Sequence, residues 1–359
     1  MKKRIRIFLM NTIIICILLS GCSTEKELQD SKRWSNEDSV IAVLEDSYIA
    51  VDYEARLQGE YYIYRYYPAE NRSEDIGSVS NFVMTYGRPV LIDYSLYMFI
   101  SSADGTSVAE HLYKIDLSSN SITTLYQHPD NYPLSPVASI SGDLLFLGVN
   151  QNSDSSITSR LYYQDLSSSK YSIVCEKKYD ADSTGEAMVH LSASGDKIYV
   201  LTRVSSSNLE SYAVDIFDTS FNHTKRLFLD DEFGDIYSNQ KLTKFEVVGD
   251  YIFLRTTSTG FIGYLGEDDV EVIMSHDQLD MAYNPSYDYQ NECIFYLMRE
   301  AEWYSLDLLN GELSKLPWNY GSDRIIKYVD ASNSGYLLKH YIDDNGNITA
   351  PEVIFIPKS

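Results

Sequence analysis

An all-β fold is what this sequence predicts, and both its composition and the order of its apolar residues indicate it. The 359 residues are 44% hydrophobic and 13% aromatic, which is enough apolar material to bury a large core. Tyrosine alone accounts for 31 residues, and aromatic side chains are enriched in strands. Short apolar runs separated by polar turns follow one another along the chain, as consecutive strands do. We therefore expect sheets rather than helical bundles across residues 39–359.

A unit of four strands repeats along these residues. Its clearest copy consists of a tight turn flanked by apolar runs, followed by two further strands: 136–140, Ser141-Gly142-Asp143, 144–147, 161–166 and 171–174. The first residue after the tight turn recurs about every 40 to 55 residues, at seven places: Tyr48, Leu96, Leu144, Lys197, Tyr251, Cys293 and Tyr336. A four-stranded unit of this length, repeated through the chain, is typical of a β-propeller. The sequence thus predicts a propeller with seven blades of about four antiparallel strands each.

A closed ring is the physical reason to prefer a propeller, because each four-stranded sheet then packs both faces against its neighbours. Two β-sandwich domains would not repeat one motif at a near-constant spacing, and the coils of a β-solenoid are usually shorter. The last unit lacks a fourth strand after the run at 353–356, so either the N-terminus completes it or the last blade has three strands. Six or eight blades remain open if a terminal unit is miscounted.

A second marker supports the same repeat. Several predicted third strands end in aspartate: Asp116, Asp165, Asp218 and Asp307. An aspartate at a strand end commonly accepts hydrogen bonds from backbone amides about two residues further on. We therefore predict that these residues cap turns and have no catalytic role.

The N-terminus has the features of a cleaved leader. Met1–Arg6 is cationic, and residues 7–19 form an apolar run too short to span a bilayer as a helix. The run ends in Leu19-Ser20-Gly21-Cys22, which closely resembles the lipobox of bacterial lipoproteins. That resemblance implies cleavage before Cys22 and a diacylglyceryl thioether on its sulfur. An ordinary secretory leader that happens to contain a cysteine is the alternative.

This resemblance implies a place and a domain organisation. Residues 1–21 would be the signal peptide, residues 22–38 a lipidated flexible tether, and residues 39–359 the propeller domain. Two acyl chains give durable anchoring, so the expected location is the extracytoplasmic side of the cell membrane. Beyond the leader, residues 39–359 resemble the TolB-type and WD-like propellers of exported bacterial proteins. The Gly-His and Trp-Asp dipeptides of true WD repeats are absent, so this resemblance supports the fold and not an activity.

Charge and cysteine content exclude some functions. The formal net charge is −23, and it becomes more negative once the cationic leader is removed. Such a field repels phosphate backbones, so we expect no nucleic-acid partner. Cys175 and Cys293 lie inside apolar strand-like runs of different repeats. Export permits a disulfide between them, but burial as small apolar side chains is the preferred interpretation.

One connection between units is a candidate binding loop. It contains three aromatic residues and a proline between positions 283 and 289, and its candidate contact residues are Tyr283, Tyr287, Asp288 and Tyr289. Exposed tyrosine rings can stack on sugars or anchor a protein while their hydroxyl groups stay hydrated. In propellers, the connections into the innermost strands and those between second and third strands line one face. Ordinary packing between blades is the alternative role for these tyrosines.

No enzyme, metal or cofactor signature is present in the sequence. The six histidines are scattered singly, and no phosphate-binding glycine loop or nucleophile elbow occurs. Acidic segments occur at 230–235, 267–269 and 343–347. The last loosely resembles a calcium loop without its distal glutamate, and a hairpin turn explains it better. The segment 102–106 superficially resembles an Asp-box, and we interpret it as a turn. We expect no cofactor.

Three functions follow from these observations. The first is a non-enzymatic, membrane-anchored lipoprotein whose propeller binds a protein or a glycan through its loop face. The second is a lyase or hydrolase acting on a polymer or peptide, with carboxylates from different blades meeting at the channel mouth. The third is a structural or assembly factor of the cell envelope, whose negative surface meets a cationic partner.

Overall fold

The structure is a computed structural model that describes most of the predicted propeller domain. The residues described are 39–52, 60–67, 70, 72–80, 82–104, 107–130, 132–152, 156–168, 170–179, 185–206, 209–229, 242–256, 260–274, 286–287, 294–299, 302–307, 312–316, 324–331, 335–344, 347–348 and 352–357.

In these ranges the chain forms β-strands and turns, without a helix, and the strands make four-stranded antiparallel sheets. The first sheet contains β1 (Ser39–Val43), β2 (Tyr48–Asp52), β3 (Glu60–Tyr67) and β4 (Arg72–Ser80). The second contains β5 (Phe82–Ile92), β6 (Ser95–Asp104), β7 (Ser107–Asp116) and β8 (Ser121–Gln127). The third contains β9 (Tyr132–Ile140), β10 (Asp143–Gln151), β11 (Ile157–Asp165) and β12 (Lys170–Tyr179). The fourth contains β13 (Gly185–Ser194), β14 (Lys197–Ser206), β15 (Leu209–Asp218) and β16 (His223–Leu229).

Three further sheets follow, and the first two of them keep this strand order. The fifth contains β17 (Leu242–Val248), β18 (Tyr251–Thr256), β19 (Gly260–Leu265) and β20 (Val270–Met274). The sixth contains β21 (Ser286–Tyr287), β22 (Ile294–Arg299), β23 (Glu302–Asp307) and β24 (Glu312–Lys315). The seventh contains β25 (Arg324–Ala331), β26 (Gly335–Asp344), β27 (Asn347–Ile348) and β28 (Glu352–Pro357).

Successive sheets are joined through their first strands. β1 contacts β5, and the series continues through β9, β13 and β17, while β21 contacts β25. Within the first six sheets, sequence order is also spatial order, as in a meander. This arrangement of four-stranded meanders packed in series confirms the predicted β-propeller. The structure describes seven such sheets, and their closure into a ring of seven blades stays a prediction.

The tight turns between first and second strands lie where the sequence places them. Ile140 pairs with Asp143 across a two-residue turn in which Ser141 and Gly142 have φ angles of 53° and 85°. Both angles are positive, as a type I′ turn requires, and glycine adopts such an angle without steric cost. The second strands that the structure describes begin within one residue of the seven predicted positions, which confirms the repeat.

The seventh sheet is narrower than the others. β26 pairs with β25 on one side, and on its other side with β28 along most of its length and β27 at its end. The described N-terminal strand β1 pairs with β2 in the first sheet. Two alternatives were open for the last unit. The described residues fit the one in which the last blade is three strands wide.

The core lies between the sheets. Apolar side chains from neighbouring sheets pack together, for example Met98 against Ile49, Phe99 against Phe146, and Leu145 against Leu191. Because both faces of an inner sheet are covered, alternate residues of one strand point to different neighbouring sheets. This alternation decides which charged side chains meet. Among the residues that the structure describes, none belongs to a helix with the length and hydrophobicity needed to cross a bilayer.

Candidate functional site

The strand order defines two faces of the molecule. In each meander, the connection between second and third strands lies at the same edge as the connection that leads into the next first strand. We call this edge the loop face; the turns between first and second strands lie at the opposite edge. The carboxylates discussed below lie at the junctions of the third sheet with its two neighbours, on strands or in the connection that leads into β9.

The predicted binding loop stays a prediction. Tyr283, Asp288 and Tyr289 lie outside the described residues. Tyr287 is in the short strand β21, where its backbone pairs with that of Phe295 at the start of the sixth sheet. Cys22, with the leader and the tether, also lies outside the described residues.

One polar cluster lies between the third and fourth sheets, and we call it the Asp215 cluster: Lys177, Glu186, Thr202, Asp215, His223 and Arg226. Asp215 on β15 is 0% exposed. Its Oδ2 lies 2.6 Å from Lys177 Nζ, and its Oδ1 lies 2.6 Å from Arg226 Nε. Thr202 Oγ1 donates to Oδ2 at 2.7 Å. The buried carboxylate therefore has a cation or a donor on each oxygen.

The same two cations also bind a second carboxylate. Arg226 donates from both terminal nitrogens to the two oxygens of Glu186, at 2.6 Å and 2.8 Å, and Lys177 Nζ lies 2.7 Å from Glu186. Since Lys177 is on β12 and the others are on the fourth sheet, these contacts join two sheets. Bidentate arginine–carboxylate pairs are among the strongest polar contacts in proteins.

The contacts of the Asp215 cluster favour the ionised form of both carboxylates. Burial alone would raise the pKa of Asp215, but hydrogen bonds from Arg226, Lys177 and Thr202 lower it well below its usual range. The hydrogen bonds from Arg226 lower the pKa of Glu186 to about 2. Both carboxylates stay charged at neutral pH, so neither is suited to act as a general acid there.

A second set of polar groups lies between the second and third sheets, and we call it the Asp130 cluster: Asp130, Arg160, Tyr162 and Glu176. Asp130 follows β8 in the connection to β9, and only 8% of it is exposed. Arg160 Nη1 lies 2.7 Å from Asp130 Oδ1, and Tyr162 Oη donates to Oδ2 at 2.8 Å. Arg160 Nε lies 2.7 Å from Glu176 on β12. The single cation of this cluster is thus shared by two carboxylates.

Gly148 on β10 makes room for this arrangement. A Cβ atom there would lie 2.3 Å from Asp130 Oδ2 and 2.6 Å from His128 Cε1. No larger residue fits, so the glycine is required by the close approach of the connection to the strand. His128 is buried beside it, where its Nε2 contacts the backbone oxygen of Leu147 at 3.2 Å and its Nδ1 accepts from the Asp130 amide at 3.0 Å. This pattern requires the neutral ring, and burial also lowers the pKa of His128.

Glu110 on β7 differs from every carboxylate above. It is 5% exposed, and its Oε2 has no hydrogen-bond partner. Ser101, its cross-strand neighbour on β6, is 0% exposed, and its hydroxyl also lacks a partner. Burial raises the pKa of Glu110 to about 8, so the group keeps its proton at neutral pH. We refer to Ser101, Glu110 and the adjacent His128 as the Glu110 site.

Three of the four repeated aspartates cap turns, as the sequence predicts. Asp116 Oδ1 accepts from the amides of Ser118 and Ser119 at 3.0 Å and 3.1 Å. Asp165 and Asp218 make the same contacts, with the amides of Ser167 at 2.8 Å and Ser220 at 2.9 Å. These hydrogen bonds confirm that the three residues cap turns.

The acidic segments also form turns where the structure describes them. Residues 267–269 are an exposed turn closed by the Gly266 amide, which donates to the Asp269 carbonyl at 2.9 Å. Asp344 pairs with Asn347 at a hairpin, as expected for 343–347. Asp104 pairs with Ser107, as a turn at the Asp-box-like segment requires. The segment 230–235 lies outside the described residues. In the described part of the chain, no three acidic, histidine or cysteine side chains are grouped to bind a metal.

Cys175 is a half-buried free thiol on β12, packed at the edge of the apolar core between the third and fourth sheets. This position fits the small apolar role preferred for it, while Cys293 lies outside the described residues. Burial raises the pKa of the Cys175 thiol, so it is not activated as a nucleophile.

The three clusters are absent from the sequence analysis because their members lie far apart in the chain. Asp215 and Lys177 are separated by 38 positions, and Arg160 and Asp130 by 30. Two local sequence features point to these residues. One is the glutamate at position 110 in β7, and the other is the pair of adjacent, opposite charges at 176 and 177. The first could have identified Glu110 as a residue to examine.

Solved structures similar to this chain are propellers and enzymes of low sequence identity. An oligogalacturonate lyase in complex with manganese has a TM-score of 0.51 and 10% identity, over 91% of this chain and 89% of that chain. The β-propeller domain of the Trilobed protease from Pyrococcus furiosus has a TM-score of 0.49 and 14% identity, over 86% and 88% of the two chains. Pyrococcus horikoshii acylaminoacyl peptidase has a TM-score of 0.45 and 12% identity, over 77% of this chain and 46% of that chain.

The chain therefore spans about half the length of that peptidase. No protein-family profile matches the sequence, and no curated protein matches it. At identities of 10% to 14%, likeness extends to the fold and to nothing finer. The protein has the fold of a β-propeller, and the residues of its own sheet junctions are the basis for any assignment of function.

Proposed function

We propose that this protein is an extracytoplasmic, membrane-anchored propeller that binds a protein or a glycan through its loop face. In this proposal, Cys22 carries the lipid, residues 22–38 are the tether, and residues 39–359 are the binding domain. The predicted loop with Tyr283, Tyr287, Asp288 and Tyr289 is the proposed contact region.

The observation that supports this proposal is that the cations at the junctions of the third sheet are paired with carboxylates. Lys177, Arg226 and Arg160 are all bound to carboxylates of their own or neighbouring sheets. Charges committed to one another in this way stabilise the sheet junctions that support the loops. They do not provide a free acid or base, so they fit a rigid support for binding better than a catalytic centre.

The overall charge favours a particular kind of partner. At a net charge of −23, the chain attracts cationic surfaces and repels anionic ones over several ångströms. A cationic protein or a neutral glycan is therefore favoured over an anionic polymer. An assembly role in the cell envelope is compatible with the same preference.

Cross-linking on intact cells, followed by mass spectrometry, tests the binding proposal. We expect a reproducible partner with the natural sequence and its loss in a Tyr287→Ala/Tyr289→Ala variant. The matched control is Tyr94→Ala, because Tyr94 is 78% exposed in a turn at the opposite face. Equal capture by all three proteins would overturn the assignment of the loop.

Metabolic labelling with a fatty acid tests the anchor separately. Cys22→Ala should abolish labelling and release the protein from the membrane fraction. Unlabelled but still secreted natural protein would instead establish the ordinary leader.

A lyase or hydrolase is the second candidate, and Glu110 is the observation that favours it. Among the described carboxylates of the sheet junctions, this is the one whose raised pKa retains a proton for donation at neutral pH. The lyase whose fold this chain shares over most of both lengths lends this candidate support by analogy only. Glu110 lies on a third strand, however, whereas first strands line the channel where the carboxylates were predicted to meet.

An activity screen separates the two candidates. Purified protein would be incubated with uronate polymers, neutral glycans and peptide libraries, and products measured by chromatography. Turnover that Glu110→Gln reduces at least 100-fold would support the enzyme. Turnover that is equal in both proteins would remove Glu110 from the chemistry, and no turnover on any substrate would favour the binder.

A further inference from the structure

Glu110 and Ser101 form an unsatisfied polar pair inside the junction of the second and third sheets. The two residues lie directly opposite each other on β7 and β6, so their side chains are on the same face. Leu112, two positions along β7, packs with Phe146 and Tyr162 of the third sheet. Glu110 therefore points toward the third sheet as well. Buried polar atoms without partners are uncommon in native proteins and call for an explanation.

The groups that face Glu110 do not neutralise it. On its own sheet these are the Ser101 hydroxyl and His128, whose backbone amide donates to the Glu110 carbonyl at 2.7 Å. His128 is held as the neutral ring by its two hydrogen bonds. Among the described side chains of the third sheet and of the connection that leads into it, the charged and titratable groups at this junction are those of the Asp130 cluster. There, the guanidinium of Arg160 is bound to Asp130 and Glu176, and the hydroxyl of Tyr162 is bound to Asp130.

We propose that ionisation of Glu110 is a pH-sensitive switch that loosens the connection between β8 and β9 on the loop face. While Glu110 is protonated, the carboxylates of Asp130 and Glu176 share the single cation of Arg160. Loss of the proton from Glu110 adds a further negative charge to a buried region with no described cation left to pair with it.

The connection that would yield is the short segment 128–130. It is held by His128 Nε2 with the Leu147 carbonyl, by the Asp130 amide with His128 Nδ1, by the His128 amide with the Glu110 carbonyl, and by the carboxylate of Asp130 with Arg160 and Tyr162. Hydration of a newly charged Glu110 requires water to enter this buried junction, where the adjacent His128 ring packs edge-to-face against Phe99 with ring centroids 5.0 Å apart. Displacing His128 breaks the first two contacts and leaves the strands on either side paired. The response is therefore a local opening rather than unfolding.

This inference has a consequence for binding that rests on the proposed function. Because the segment 128–130 leads into the third sheet on the loop face, partner binding would weaken as Glu110 ionises. The conformational switch itself does not depend on any partner.

Hydrogen exchange of the purified protein, measured by mass spectrometry between pH 6 and pH 9, tests the switch. After correction for intrinsic exchange rates, we expect protection of peptides covering 126–130 to fall at least tenfold across this range. Glu110→Gln should keep protection constant within about twofold, because an amide cannot ionise. The matched control is Glu267→Gln, in an exposed turn, which should behave like the natural protein. Loss of protection that is the same with Glu and Gln at position 110 would overturn the proposal.

A second measurement covers the case in which Glu110→Gln does not fold. Carbon NMR of the natural protein, labelled at glutamate side-chain carbons, reports the titration of each carboxyl group. An elevated midpoint for one buried glutamate, with a concerted shift of the His128 ring signals, supports the switch. Ordinary midpoints for all glutamates would overturn it. Both measurements use the protein without a partner, so failure to capture a partner and failure of the switch are separate results.

Discussion

The Asp215 cluster and the Glu110 site are both buried carboxylates on third strands, and both face the third sheet, from opposite sides. Asp215 is surrounded by Lys177, Arg226 and Thr202, and its pKa is lowered. Oε2 of Glu110 has no hydrogen-bond partner, and burial raises the pKa of this group to about 8. Burial is similar in the two places, so the supply of donors, and not depth, decides the charge state. Ion pairs stabilise the junction at Asp215, whereas the junction at Glu110 contains a protonated carboxyl group.

The largest expected loss of stability comes from removing Asp215, which lies at the centre of the Asp215 cluster. Asp215→Ala leaves Lys177 and Arg226 beside a cavity with only Glu186 to pair with. Breaking a buried ionic network by deleting one partner destabilises a protein by about 3–5 kcal/mol. Urea unfolding followed by tyrosine fluorescence would measure this loss.

The control for that variant is Asp268→Ala, an exposed turn residue, which should change the free energy of unfolding by less than about 0.5 kcal/mol. Equal stability of the two variants would contradict the structural role given to the Asp215 cluster.

At the junction of the second and third sheets, Glu110→Gln should change how the free energy of unfolding depends on pH. The unfolded carboxyl group ionises near its ordinary value of 4.5, and the folded one near 8. Between these values the native state binds more protons than the unfolded state, so stability falls as pH rises. We expect Glu110→Gln to be favoured over the natural protein at pH 9, relative to pH 5, by about 4 kcal/mol.

Melting temperatures of both proteins at pH 5, 7 and 9 would measure this difference. A gap between the two proteins that stays constant over the range would mean that Glu110 is ionised in the native state throughout.

A substitution beside Asp130 tests how tightly that connection is packed. Gly148→Ala places a methyl group against the Asp130 carboxylate and the His128 ring, and overpacking of this kind costs about 1–3 kcal/mol. Gly142→Ala is the comparison, since its Cβ meets no atom and only its positive φ opposes the change. Gly148→Ala alone should shift the His128 ring signals in NMR spectra. Equal shifts in both variants would contradict the close approach.

The smallest effect is expected at the exposed turns. Asp116→Ala removes an acceptor for two backbone amides without opening a cavity, so the melting temperature should fall slightly at pH 7. The hydrogen bond from the Ser118 hydroxyl, with those from backbone amides, lowers the pKa of Asp116 to about 2. The contribution of Asp116 to folding stability is therefore present above the pKa of the unfolded state and is lost as pH falls toward 2. Asp116→Asn should retain part of it.

Sequence patterns predicted the repeated sheets because the turn chemistry is local. Ser141-Gly142 and Gly249-Asp250 specify their hairpins by backbone preference, and Asp116 specifies its turn through amides two and three residues away. The packing of one sheet on the next depends on side-chain alternation, which a single extra residue inverts. Such bulges occur in first strands, for example beside Val189 in β13.

Those bulges explain why the polar clusters were not predictable from the sequence. Lys177 and Glu186 are only nine positions apart, yet their contact depends on the register of two strands in different sheets. The isolation of Glu110 depends on Arg160 being bound elsewhere, which is a property of the assembled junction. The proposed binding loop at 283–289 was selected for its composition, and it stays a prediction.

The neighbouring residues Glu176 and Lys177 on β12 have a consequence for the accuracy of folding. Glu176 faces Arg160, and Lys177 faces Glu186 and Asp215. A slip of β12 by one position would exchange the two faces of the strand. Lysine would then meet arginine, and glutamate would meet two carboxylates, so like charges would repel at both sides of the third sheet. These two adjacent residues thus disfavour a misaligned β12. Burial of apolar side chains alone would not disfavour it, because this edge strand is exposed along most of its length.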